Sequence, residues 1–180
     1  MRIFDKAFKE ILGSQLVSVA GGLIAGMILS IYTENLLLVP GMLVLLPGFL
    51  EMRGNISGTF ASRLSSGLFL GVINPNRMRT KLIRGNLFAS FLLAILVSLV
   101  LGLIAFAFIF MFLHQLEIKI IFVPLIAGII ANAIEIPLTL FATFYFFRKG
   151  HDPNNIMGPF ITSTGDITSI VALLFALMVL

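Results

Sequence analysis

The feature that most constrains the fold is residues 85–113, a run without a single charged side chain. A helix of about 20 apolar residues crosses the hydrocarbon core of a bilayer, so this run is long enough to span it. Hydrophobic residues make up 59% of the 180-residue chain, more than a soluble core of this size can bury. The sequence therefore predicts an all-α polytopic membrane protein with five transmembrane helices, at about 11–32, 36–72, 84–113, 119–147 and 157–180.

Basic residues predict how the chain crosses the membrane, because cytoplasmic loops are enriched in Lys and Arg. Nine of them precede the first span or lie in the loops after the second and fourth spans: Arg2, Lys6, Lys9, Arg77, Arg79, Lys81, Arg84, Arg148 and Lys149. The other two loops hold only Lys119. This pattern predicts a cytoplasmic N-terminus, a C-terminus outside and a location in the cell membrane, in contact with lipid. It also accounts for the net charge of +4 without a nucleic-acid partner.

The chain is predicted to be one five-span transport domain, 1–180, without a soluble regulatory domain, because the segments outside the spans are short. Five spans are too few for the paired inverted repeats of many transporters. A second copy of the chain would supply the missing symmetry, so a homodimer is expected. The chain has no cysteine, which excludes disulfides and thiolate metal sites.

The second span contains an unusually polar stretch, residues 47–66. Asn55, Thr59, Ser62 and Ser66 follow one another at helical spacing and share one face. The glycine pairs 54/58 and 67/71 have the GxxxG spacing that lets two helices approach closely. The stretch is therefore either a pore wall or a packing seam, and Pro47 predicts a break in the helix before residue 54.

Charged residues in the same stretch also require an interpretation. Arg53 and Arg63 are interpreted as structural charges. They either extend their charged ends to the membrane–water boundary or pair with Glu51, because arginines on the lining of a cation path would repel the ion. Glu135, in the fourth span, is either a second pathway acid or a hydrogen-bonding group beside the kink expected at Pro137.

The fifth span has its own polar face. Thr162, Asp166 and Ser169 lie at positions i, i+4 and i+7, and Asp166 is the only acidic residue of that span. An intramembrane carboxylate indicates a functional site, and the alternative is a structural carboxylate paired with Arg53 or Arg63. Oxygen ligands around one carboxylate suit hard cations such as Mg²⁺ or Ca²⁺. Walker, HExxH and GxSxG motifs do not occur in the sequence, so an enzyme is not predicted.

Two motifs give the chain a family resemblance. The first is a basic residue and a Gly-Asn pair followed by a T-x-A-S-R-L-S run, here Arg53, Gly54, Asn55, Thr59, Ala61, Ser62, Arg63, Leu64 and Ser65. The second is an Asp-Pro, a later Pro and a Gly-Asp pair, here Asp152, Pro153, Pro159, Gly165 and Asp166. Together they resemble the membrane domain of MgtE-type magnesium transporters, and most closely the branch called solute carrier family 41.

The resemblance implies a pore at a dimer interface, lined by the second and fifth spans. It implies that Asp166 is the pore aspartate and that the carbonyl of Thr162 faces the ion. Ser57 departs from the branch, which often has an acid there, and this removes one candidate ligand. Because only about ten residues precede the first span, gating by cytoplasmic sensor domains is not expected.

These observations predict a divalent-cation channel or transporter for Mg²⁺. The expected metal ligands are Asp166, Thr162, Asn55 and Thr59, with Ser62, Ser169, Glu135 and Glu51 as further pathway positions. One alternative is a proton- or sodium-coupled antiporter in which Asp166 and Glu135 exchange ions. Another is a non-transporting assembly subunit that packs through its glycine pairs.

Overall fold

The structure, a computed structural model, describes residues 5–180. All regular secondary structure in this range is helical. These residues form six α-helices: α1 (Lys6–Ile31), α2 (Thr33–Leu37), α3 (Met42–Phe69), α4 (Lys81–Leu113), α5 (Lys119–Arg148) and α6 (Pro153–Val179). The predicted all-α class is confirmed. Arg2, one of the basic residues used to predict the topology, lies outside the described residues.

Four helices of the described residues are long and apolar enough to cross a membrane: α1, α4, α5 and α6. They coincide with the first, third, fourth and fifth predicted spans. The helix α3 has 28 residues, but its charged and polar side chains keep it out of this set. Large apolar side chains such as Leu23 and Phe88 are exposed on the outer faces of α1 and α4, as expected for helices that meet lipid.

The second predicted span is interrupted, but not where Pro47 predicted. The interruption lies at residues 38–41, between α2 and α3, and Gly41 there has the positive φ of 87° that glycine adopts without strain. Pro47 lies within α3, and the helix continues past it to Phe69, so the predicted break before Gly54 is wrong. One missing backbone donor near the start of a helix is tolerated when neighbouring helices pack around it.

The three basic segments meet at one end of the bundle. The ammonium group of Lys6, at the start of α1, donates to the carbonyl of Gly150 after α5. Nε of Arg148 donates to the carbonyl of Pro75, in the loop between α3 and α4, at 2.6 Å. The start of α6 lies there as well, capped by the Asp152 carboxylate, which accepts from the Asn154 N–H at 2.8 Å.

A polar layer crosses the middle of the bundle, between two apolar clusters. One cluster contains Phe49 of α3 and packs α3, α4, α5 and α6 together, whereas the other contains Phe60 of α3 and Phe144 of α5. Arg53 lies on α3 between Phe49 and Phe60, and it is buried. The helix α1 packs mainly against α6, on the outside of this core. The fold thus brings charged residues of three helices together in this layer: Arg53 of α3, Glu135 of α5 and Asp166 of α6.

Candidate functional site

An open cavity of about 440 Å³ lies between α3 and α6, at the level of the polar layer. Four of the predicted site residues line it, namely Glu51, Asn55, Thr162 and Asp166. The remaining lining is Pro47, Leu50, Arg53, Gly54, Gly58, Gly158 and Ile161. The predicted polar faces of the second and fifth spans therefore meet at one site.

A second, smaller cavity of about 220 Å³ adjoins the first. The two share Gly58 and Gly158, and the smaller one adds Ser62 of α3 and Asn154 of α6. Together they form a groove along α3 and α6 that runs from Asp166 toward the basic end of the bundle.

The predicted polar stripe of α3 forms an exposed face. Asn55, Thr59, Ser62 and Ser66 are all exposed, and the Asn55 amide donates to Oε1 of Glu51 at 3.0 Å. Thr59 belongs to this face but not to the lining of either cavity. Lipid cannot supply hydrogen bonds to the polar groups of such a face.

The two predicted glycine pairs differ in their surroundings. A Cβ added at Gly54 or Gly58 would meet nothing within 4 Å, so this pair makes no close helix contact within the chain. The other pair is not a helix-packing motif, because Gly71 lies beyond the end of α3 with a φ of 69°. The 54/58 pair remains open for contact with another molecule.

Asp166 is held by an arginine. Its Oδ1 accepts a hydrogen bond from Nη2 of Arg53 at 3.2 Å, and the same guanidinium donates through Nη1 to the carbonyl of Ile161 at 3.3 Å. The Arg53 side chain is only 1% exposed, whereas that of Asp166 is 25% exposed toward the cavity. The predicted pairing of Arg53 with Glu51 is therefore wrong. The other interpretation, a carboxylate of Asp166 paired with Arg53, is confirmed. Arg63 is exposed and forms no ion pair within the described residues.

Glu135 completes a three-charge cluster. Its Oε2 lies 3.9 Å from Nη1 of Arg53, and the Thr168 hydroxyl lies 3.3 Å from its Oε1. Glu135 is fully buried and does not line the cavity, and the same is true of Ser169. The structure thus separates these two residues from the predicted pathway, because α5 and α6 bury the sides on which they lie.

Gly165 makes room for the arginine. A Cβ built on this residue would overlap the Nη1, Cζ and Nη2 atoms of Arg53. The guanidinium therefore lies directly against the backbone of α6, one residue before Asp166. The Arg of the first motif and the Gly-Asp of the second are parts of one packed unit.

The described side chains of one copy do not form a cluster that would hold a metal ion by itself. Within residues 5–180, no group of three or more His, Cys, Asp or Glu residues is placed to hold a metal ion. A cation in the cavity would meet Asp166 and Glu51 together with neutral oxygens from Asn55 and Thr162.

Comparison with protein families shows to which family the chain belongs. The model of the MgtE family, described as divalent cation transporters, matches residues 46–176. The chain belongs to the MgtE family. None of the curated proteins matches it significantly. As a member of this family it is a multi-pass membrane protein, and the transporter class agrees with the prediction that it is not an enzyme.

The MgtE match covers the helices that build the cavity. It begins within α3 and ends within α6, so every residue that lines the two cavities falls inside it. The helix α1 lies before the matched region.

The sequence reasoning missed one polar face of this MgtE unit. Four polar residues of α5 are fully buried: Asn132, Glu135, Thr139 and Thr143. Their spacing of three, four and four residues places them on one side of a helix, and this spacing was the available signal. For Arg53 the sequence left two candidate partners, Glu51 and Asp166, because it does not show that Gly165 leaves space for the guanidinium beside Asp166.

Proposed function

We propose that this chain carries Mg²⁺ across the cell membrane as a homodimer, along the groove between α3 and α6. The observation that supports the proposal is the cavity in which a carboxylate of α6 faces a carboxylate and an amide of α3. Asp166 attracts the ion, and Glu51, Asn55 and Thr162 supply further oxygens. Thr59 and Ser62 continue the polar face from which the pathway is built.

The size of the cavity suits an ion that keeps its water. Mg²⁺ sheds water reluctantly and is bound by one or two carboxylates with several waters retained. Six waters at about 30 Å³ each need roughly 180 Å³, less than the 440 Å³ available. Asp166 thus acts on a hydrated ion, mainly through charge and through hydrogen bonds to the retained waters.

A dimer would allow α3 to cross the membrane as well, as the second of five spans. An exposed row of Asn55, Thr59, Ser62 and Ser66 would be costly against lipid, and a second copy would cover it. Gly54 and Gly58 leave space for a close approach between the two α3 helices. Two copies of Asp166 would then face one pathway.

The orientation follows from the basic end of the bundle, which we place in the cytoplasm, with the C-terminus outside. The groove then leads from Asp166 at mid-depth toward the cytoplasm. A membrane potential contributes about 2.3 kcal/mol per charge per 100 mV, which draws a dication inward without any coupled ion.

The two alternatives make different predictions. Coupled exchange between Asp166 and Glu135 would need both in the pathway, but Glu135 is buried behind Arg53. Flux that depends on a proton or sodium gradient would favour it nevertheless. A non-transporting assembly subunit would be more sensitive to changes at Gly54 and Gly58 than at Asp166.

The test is divalent-cation-dependent thermal stabilisation of the purified protein, combined with Mg²⁺ uptake into liposomes. We expect Mg²⁺ to raise the midpoint of the wild type and not that of Asp166→Asn, because a ligand that binds only the folded state stabilises it. Asp166→Ala should form the same dimer and show no uptake. Normal uptake by Asp166→Ala would refute the proposal.

A further inference from the structure

Arg53 and Glu135 form a buried charge pair behind the carboxylate that faces the cavity. Arg53 contacts both acids, at 3.2 Å from Oδ1 of Asp166 and 3.9 Å from Oε2 of Glu135. Only Asp166 and Arg53 belong to the cavity lining, whereas Glu135 does not. The cluster contains one cationic and two anionic groups, so it presents one net negative charge when all three are ionised.

We infer that Arg53 is a positioning residue that sets how strongly Asp166 binds a divalent cation, and that Glu135 sets how much of Arg53's charge acts on Asp166. The inference rests on the proposed function. Arg53 occupies Oδ1 of Asp166 and leaves Oδ2 for a cation in the cavity. Glu135 competes with Asp166 for the same guanidinium and so offsets its positive charge.

Three features of the structure favour a fixed arrangement over a mobile surface arginine. The guanidinium is buried, it donates to the Ile161 carbonyl, and it fills the space above Gly165. A buried cation with such neighbours cannot move away when an ion arrives without leaving Glu135 unpaired. Its charge therefore acts on the ion throughout binding and release.

The functional consequence is moderate affinity. A transport site must bind its ion well enough to admit it and weakly enough to release it. Asp166 alone would be a strong anionic site, and an arginine hydrogen-bonded to it weakens the attraction of a dication. Glu135 prevents complete cancellation of the charge.

The charge balance predicts opposite effects of two substitutions. Glu135→Gln leaves Arg53 paired with Asp166 alone, so the cluster becomes neutral and the half-saturating Mg²⁺ concentration should rise on the order of tenfold or more. Adding Arg53→Gln restores the net charge of minus one and removes the guanidinium from Asp166, so the double variant should bind Mg²⁺ more tightly than the wild type. Glu135→Asp keeps the charge and should remain within about threefold of the wild type.

The measurement is the Mg²⁺ dependence of both thermal stabilisation and liposome uptake, for the wild type and these three variants. Arg84→Gln is the matched control, because it removes the same charge from an exposed position at the start of α4, outside the cavity and outside the proposed interface. It should leave the half-saturating concentration within about threefold of the wild type, since an exposed charge is screened by solvent.

A purely structural role would lower stability without this pattern of loss and rescue. The inference is overturned if Glu135→Gln binds Mg²⁺ like the wild type. If Glu135→Gln does not fold, the double variant decides: tighter binding than in the wild type supports the inference, and equal or weaker binding overturns it. A wild type that shows neither stabilisation nor uptake would instead refute the proposed function itself.

Discussion

Gly165→Ala is the substitution that tests the packing of the charge cluster most directly. A new Cβ would fall inside the guanidinium group of Arg53. To restore an ordinary nonbonded separation of about 3.5 Å, the group must retreat by roughly 2 Å. Its hydrogen bonds to Asp166 and Ile161, now 3.2 and 3.3 Å, would then exceed the hydrogen-bonding range.

The energetic consequence is large because the displaced group is a buried ion. Breaking a buried ion pair by displacing one partner costs about 3–5 kcal/mol. Alanine in place of glycine within a helix returns about 1 kcal/mol. The net loss is about 2–4 kcal/mol, which corresponds to a fall of about 5–15 °C in the unfolding midpoint for a chain of this size.

The assay is thermal unfolding of the purified protein in detergent, with Gly26→Ala as the matched control. Gly26 also lies within a long helix, but a Cβ there meets nothing within 4 Å, so Gly26→Ala should raise the midpoint by about 2–4 °C. In the background of Arg53→Gln and Glu135→Gln, Gly165→Ala should lose most of its effect, because contacting residues are not additive. A Gly165→Ala midpoint equal to that of the control would refute the packing of Arg53 against α6.

Two further predictions concern the dimer and the attachment of α1. The chain has no cysteine, so a single introduced cysteine reports on one position. Thr59→Cys should give a disulfide-linked dimer in membranes, whereas Leu103→Cys, exposed on α4, should not. A cross-link at Leu103→Cys alone would contradict the proposed interface. Glu10→Gln removes the carboxylate that accepts from the Asn155 amide at 3.0 Å, so hydrogen exchange over residues 6–14 should become faster. The exposed Glu34→Gln is its control, and unchanged exchange in Glu10→Gln would show that this contact does not fasten α1.

The sequence was sufficient to predict four of the six helices and four of the eight residues proposed for the site. Apolar runs located the four helices that are long and apolar enough to cross a membrane to within a few residues, because a span must satisfy its backbone within itself. Helical spacing correctly grouped Asn55 with Thr59 on one exposed face and Thr162 with Asp166 at one cavity, since neighbours on one face stay neighbours whatever surrounds them.

The remainder depended on contacts between helices. Spacing alone places Ser169 beside Asp166, but packing against the bundle buries Ser169 and leaves Asp166 partly open. The same holds for Pro47, whose effect on α3 depends on the helices around it, and for the break that forms at residue 41 instead. Periodicity assigns a face to a helix, and only the neighbours decide whether that face is buried.

The charged residues show why the two sequence motifs belong together. Arg53 of the first motif needs a residue without a Cβ at position 165 and an acid at position 166, both of which the second motif supplies. Glu135, outside both motifs, provides the charge that keeps the arginine stable in the bundle. A substitution in any one of these residues therefore changes the environment of the carboxylate that faces the cavity. For this reason, effects on ion affinity are expected from Glu135 and Gly165, although neither lines the cavity.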